Sequence, residues 1–97
     1  MHTTLPNQII IPEHALFQEV EEEAVILNLQ NEHYFGLNPV AREIWLQLAE
    51  HGDSERALTA LLQRYQVEES RLRSDIAQLL NELAAEGLIQ LPDSSAR

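Results

Sequence analysis

The dipeptide Asn38-Pro39 divides this chain into two stretches with different hydrophobic rhythms, and that division constrains the fold more than any other feature. Asn38 can accept a hydrogen bond from a free amide as the N-cap of a helix. Pro39, which has no N–H to leave unpaired, suits the first helical position. Upstream, the apolar residues come in short runs broken by polar turns. Downstream, they recur every three or four residues over three longer segments.

The upstream runs read as strands. Residues 14–20 form the first, and the adjacent carboxylates of Glu21, Glu22 and Glu23 make a charged turn, because like charges side by side prefer water. Residues 24–29 (AVILNL) are short and β-branched at Val25 and Ile26, and residues 33–37 (HYFGL) are short and aromatic. Two such runs around the polar Gln30-Asn31-Glu32 predict a hairpin. The loop lacks the usual Gly, and Asn31 is the residue expected to take a positive φ there. Residues 1–12 read as an irregular lead-in, with Pro12 ending the apolar run at 9–11.

Downstream, Val40, Ile44, Leu46 and Leu48, with Trp45, mark a helix to about His51, ended by Gly52. Asp53 or Ser54 caps a second helix through about Tyr65, with Leu58, Leu61 and Leu62 on one face. A third, over 69–86, places Leu72, Ile76, Leu79, Leu80 and Leu83 on one stripe and stops at Gly87. Residues 88–91 read as a short strand before Pro92, and the tail 93–97 as frayed. Strands and helices are segregated, which predicts an α+β fold of winged helix-turn-helix type: a three-stranded antiparallel sheet followed by three helices. The chain of 97 residues suits one domain over 1–97, with an ordered core over about 14–91.

Charge narrows the partners. Sixteen Asp and Glu stand against six Arg and no Lys, a formal net charge of -10. Nucleic-acid binding draws on counterion release by Lys and Arg, and anionic membranes attract the same residues, so both are disfavoured. The absence of Cys excludes a disulfide framework, thiolate zinc and Cys-ligated iron–sulfur clusters. Neither a basic, apolar secretory signal nor a run of about 20 apolar residues is visible, so the cytoplasm is the expected location.

Convergent chemistry is absent. His2, His14, His33 and His51 fall in four separate segments without metal-ligand spacing and read as solvated or structural. Ser54, Ser70 and Ser74 lack a nucleophile-elbow context, and Gly36, Gly52 and Gly87 are isolated, with no phosphate loop. No cofactor, metal or catalytic residue is expected. An exposed strand edge, by contrast, offers main-chain donors and acceptors at regular spacing, and a peptide can add to it as a further strand.

The run AVILNLQNEHYFGLNPVAREIW, the SERALTALLQRYQV helix and the segment EESRLRSDIAQLLNELAAEGLI together resemble the PqqD-like family of peptide chaperones, also called RiPP recognition elements (RiPP: ribosomally synthesised, post-translationally modified peptide). The resemblance spans about residues 15–91. Its most specific part is 25–45, with the Tyr-Phe-Gly-Leu-Asn core and Ile-Trp in the following helix. It implies three antiparallel strands, then three helices. It also implies a non-catalytic role: binding the leader part of a precursor peptide as an added strand beside the third strand and against the third helix. The precursor is then delivered to a radical SAM enzyme, a leader peptidase or a cyclase. The intact Leu-Asn-Pro junction and tyrosine-bearing hairpin look closer to the lasso-peptide type than to the quinone-cofactor type.

Carried onto this sequence, the resemblance makes Glu32, His33, Tyr34, Phe35, Gly36 and Leu37 the candidate peptide contacts on the strand. On the helix they are Arg71, Leu72, Asp75, Ile76, Gln78 and Leu79. Alternation puts Tyr34 and Gly36 on one face and His33, Phe35 and Leu37 on the other, with Phe35 and Leu37 expected inward and Tyr34 partly exposed. Arg71 and Arg73 are candidates to pair with acidic leader residues; the plainer reading is a local pair, such as Arg71 with Asp75. An open sheet edge also leaves room for a homodimer. The competing reading is a winged-helix DNA-binding regulator using the third helix, whose acidic balance is wrong for phosphate. A small hydrolase is a third, and no residue constellation supports it.

Overall fold

Alternation of buried and exposed side chains turns the three upstream runs into strands. In the computed structural model, which describes residues 5, 6 and 8–91, these are β1 (Ala15–Val20), β2 (Glu23–Asn28) and β3 (His33–Leu37). They pair antiparallel in the order β1-β2-β3, with β2 central. The helices follow as α1 (Pro39–His51), α2 (Ser54–Arg64) and α3 (Glu69–Ala85). This is the α+β order expected. Expectations for residues 1–4, 7 and 92–97, including His2 and the frayed tail, lie outside the described residues. No helix among the described residues is long and apolar enough to cross a membrane.

The caps work as their chemistry demands. The Asn38 side chain accepts a hydrogen bond from the Ala41 N–H at 2.8 Å, and Pro39 opens α1. Gly52 closes α1 with φ +65°, its N–H reaching the Leu48 carbonyl. Asp53, not Ser54, caps α2, accepting from the N–H groups of Glu55 and Arg56. Ser54 is wholly buried in the first turn, and its hydroxyl has no hydrogen-bond partner among the described residues. A buried hydroxyl without a partner keeps its desolvation penalty. Ser54→Ala is therefore expected to stabilise the fold by about 1 kcal/mol, read as a higher urea midpoint; a lower midpoint would mean the hydroxyl is satisfied in solution.

The hairpin loops differ from expectation in one respect. The register pairs Val20 with Glu23, so Glu21-Glu22 is a two-residue turn, and Glu21 takes φ +60°. In the β2–β3 loop it is Glu32, not Asn31, that adopts the left-handed conformation, at φ +64°. Asn31 is held instead by its own side chain, which accepts from the His33 N–H at 2.9 Å, so the reversal falls one residue later. A non-glycine residue there costs about 1–2 kcal/mol. After glycine's larger unfolded-state entropy is subtracted, Glu32→Gly is expected to gain about 0.5–1 kcal/mol. An unchanged denaturation midpoint would contradict that strain.

One sheet face packs on the helices. Because directly opposed residues share a face, the inner face carries Ala15, Phe17 and Glu19 of β1, Ala24, Ile26 and Asn28 of β2, and His33, Phe35 and Leu37 of β3. Ile26 is fully buried, and Phe17 stacks on Trp45 of α1 with ring centroids 6.3 Å apart. Glu19 pairs with Arg42 of α1, docking one corner of the sheet. Buried Asn28 donates to the Glu86 carbonyl at 3.0 Å and accepts from the Gln30 N–H, tying the hairpin to the end of α3. His14 has a similar structural role, its Nε2–H donating to the Gly87 carbonyl at 2.8 Å.

The segment read as a lead-in contributes to the core. Leu5 and Ile9 are buried, and the Ile9 N–H donates to the Gly52 carbonyl at 2.9 Å. Ile10 exchanges two main-chain bonds with Gln90, so the strand expected over 88–91 is a single bridge, while Leu88 and Ile89 drop into the core. Arg73 of α3 donates to Glu55 of α2 at 2.6 Å and to Glu69 at 2.9 Å. The hydrogen bonds to Glu55 and then Glu69 hold its guanidinium pKa above the usual value. This arginine clamps two helices together.

Candidate functional site

The sheet has two edges, and hydrogen-bond phase separates them. The two-residue turn makes Val20 and Glu23 a hydrogen-bonded pair, and alternation extends that phase to Gln18–Val25 and Leu16–Leu27. The bond from the Leu29 N–H to the His14 carbonyl at 2.8 Å continues the same phase. The main-chain groups of Ala24, Ile26 and Asn28 therefore point the other way, into β3, where they meet Leu37, Phe35 and His33. What remains on β3 are the N–H and C=O groups of Tyr34 and Gly36, aimed away from the sheet at a free edge. The β1 edge is blunted, since the Ala15 N–H is taken by the Pro12 carbonyl at 3.1 Å.

Gly36 suits such an edge. A Cβ built there meets nothing within 4 Å, so the position is open on the outer face. The Tyr34 side chain, 65% exposed, stands on that face in a row with Leu27 and Leu16.

Beyond the end of β3 the edge runs into a groove. One hollow, of about 280 Å³, lies between the first turns of α1 and the middle of α3, lined by Asn38, Val40, Ala41, Ile44, Asp75, Gln78, Leu79 and Glu82. A second, of about 400 Å³, continues towards the α2–α3 connection, bounded by Ile44, Leu61, Tyr65, Val67 and Leu72. A third adds Glu68, Arg71 and Asp75. Val40 lines all three and is 55% exposed.

The anticipated residues fall into three groups. Tyr34 and Gly36 supply the open edge, and Glu32 and His33 stand exposed at its start. Arg71, Asp75, Gln78, Leu72 and Leu79 line the groove, the two leucines mostly buried beneath it. Phe35 and Leu37 point inward, half-buried and buried, and support the edge from below. Ile76 is corrected: it is fully buried, lines none of the hollows and belongs to the core alone. The suggested Arg71–Asp75 pair does not form, and Arg73 is spent on Glu55 and Glu69. Val40, Tyr65 and Val67 were not anticipated as site residues. Tyr65 and Val67 carried one signal, two apolar side chains in an otherwise polar connector.

A three-stranded antiparallel sheet running into three helices, with the third strand at one edge of the sheet, is the architecture of a PqqD-like RiPP recognition element. The chain belongs to the PqqD family: the model of coenzyme PQQ synthesis protein D matches residues 23–89. No curated protein sequence matches the chain. Among solved structures, TbiB1 in complex with the TbiA(beta) leader peptide is 28% identical, with a TM-score of 0.75 over 91% of this chain and 99% of that one. A lasso peptide synthetase B1 complexed with the leader peptide has the same TM-score of 0.75 at 22% identity, over 86% and 98% of the two chains, a likeness of fold.

Proposed function

We propose that this domain binds the leader segment of a ribosomally made precursor peptide by strand addition to β3, and hands it to a modifying enzyme without catalysing a reaction itself. The observation that carries this is the outward phase of the Tyr34 and Gly36 main chain beside the groove walled by α3. Family membership and the likeness to TbiB1, a protein seen with its leader peptide, point the same way. That likeness favours a lasso-peptide pathway, with a leader peptidase or cyclase as the receiving enzyme and the cytoplasm as the setting. The α3 surface, with Arg73 tied internally, has little to offer nucleic-acid phosphate.

The test is a ¹⁵N NMR titration of the full chain with the leader segment of its precursor peptide. Binding is expected at micromolar Kd or tighter, with the largest shifts at the Tyr34 and Gly36 amides. Absence of binding, or shifts confined to other faces, would sink the proposal.

A further inference from the structure

The groove beside β3 is apolar at its floor and acidic at its rim. The floor is Val40, Leu72 and Leu79. The rim runs from the N-cap of α3 along one side of the helix: Glu68, Asp75 and Glu82 recur every seven residues, at intervals of about 10 Å. That interval is about three residues of extended chain.

The charges on this rim are not cancelled locally. Among the described residues neither Glu68 nor Asp75 has an ion pair, and the Glu82 carboxylate accepts only from the Gln78 side chain, at 3.3 Å. Two arginines line the groove. Arg42 is taken by Glu19 and Glu43, which leaves Arg71 as the available cation against three carboxylates. The rest of the surface adds to the imbalance, with a net charge of -10 over the chain. A field of one sign over an apolar cleft draws in ligands of the opposite sign and repels like-charged ones.

From this charge complementarity we infer that the peptide seated in the groove is basic, carrying an apolar side chain over Val40 flanked by Lys or Arg that reach Asp75 and Glu82. This deepens the strand-addition reading and rests on it. It reverses the simpler expectation that the arginines of α3 recruit an acidic leader, since Arg73 is locked between Glu55 and Glu69 and Arg71 is outnumbered.

The test presents a random twelve-residue peptide display library to the full chain, followed by titration of the enriched peptides. Enriched sequences are expected to carry net positive charge and at least one large apolar residue. Binding should weaken about tenfold or more when Asp75→Lys and Glu82→Lys are combined, and weaken with added salt in the wild-type chain only. Val40→Asn should weaken it too, with an unchanged thermal midpoint, because Val40 is exposed in the first turn of α1. An empty selection, enrichment of neutral or acidic peptides, or tight binding that survives the double charge reversal would overturn the inference. NMR separates the two layers. Acidic peptides that shift the Tyr34 and Gly36 amides would defeat the charge inference and leave strand addition standing. Basic peptides that shift only the α1–α3 groove would defeat strand addition, and with it the reading on which this inference rests.

Discussion

Gly36→Pro should weaken leader binding by roughly thirtyfold or more while leaving the fold intact. The reason lies in hydrogen-bond phase. The Gly36 N–H points to the free edge and takes no part in the ladder to β2, so its removal breaks no bond among the described residues. An incoming strand would find no donor there. It would also meet the pyrrolidine ring where its own carbonyl must sit, which leaves that carbonyl desolvated and unpaired at a cost of about 2 kcal/mol. Proline is tolerated on edge strands when its missing N–H faces away from the sheet. Gly36 is not among the residues with positive φ, and its surroundings are open.

The paired control is Phe35→Pro. Phe35 lies opposite Ile26 in a hydrogen-bonded pair, and its half-buried ring packs on the core. Proline there removes a ladder bond and the ring together, so the hairpin itself should melt. Isothermal titration with the leader peptide, run beside thermal denaturation of each variant, separates the cases. Unimpaired binding by Gly36→Pro would rule out main-chain pairing at this edge.

Most of this site was legible in the sequence because strands obey a period of two. The run HYFGL alone places Tyr34 and Gly36 on the face opposite Phe35 and Leu37, and the Asn38-Pro39 start of α1 sets where the strand must end. What periodicity does not convey is which neighbour covers an apolar stripe. Val40 belongs to the same stripe as Ile44, yet the first turn of α1 overhangs the packed region and Val40 stays open, while Ile44 four residues on is buried. Ile76 is the converse case, a residue on the right helix that points wholly into the core. Leu5 and Ile9 carry no regular period, and they are buried because a gap between the α1–α2 turn and residues 88–90 happens to accept them. The identity of the strained loop residue was hidden for a similar reason: Asn31 tolerates a positive φ, but its side chain is better used capping the His33 N–H.

Trp45→Ala should lose binding by the opposite route, through the fold. Trp45 is 3% exposed, and its indole stacks on Phe17, joining α1 to the strand farthest from the peptide edge. Truncating a buried Trp costs about 3–5 kcal/mol, out of a total that for a domain of this size is about 5–15 kcal/mol. At about 4–8 °C per kcal/mol, the thermal midpoint should fall by at least about 12 °C. Tyr34→Ala, at a 65% exposed position, should cost the fold no more than about 0.5 kcal/mol. The physical distinction is that the edge needs only its own main chain to be free, whereas the groove between α1 and α3 meets the end of that edge only while the sheet is seated on α1. Binding by Trp45→Ala should therefore track the folded fraction as temperature rises, and binding by Gly36→Pro should be weak even where the chain is fully folded. A Trp45→Ala midpoint as high as that of Tyr34→Ala would mean that the sheet is held to the helices by other contacts, with Ile26 the next position to truncate.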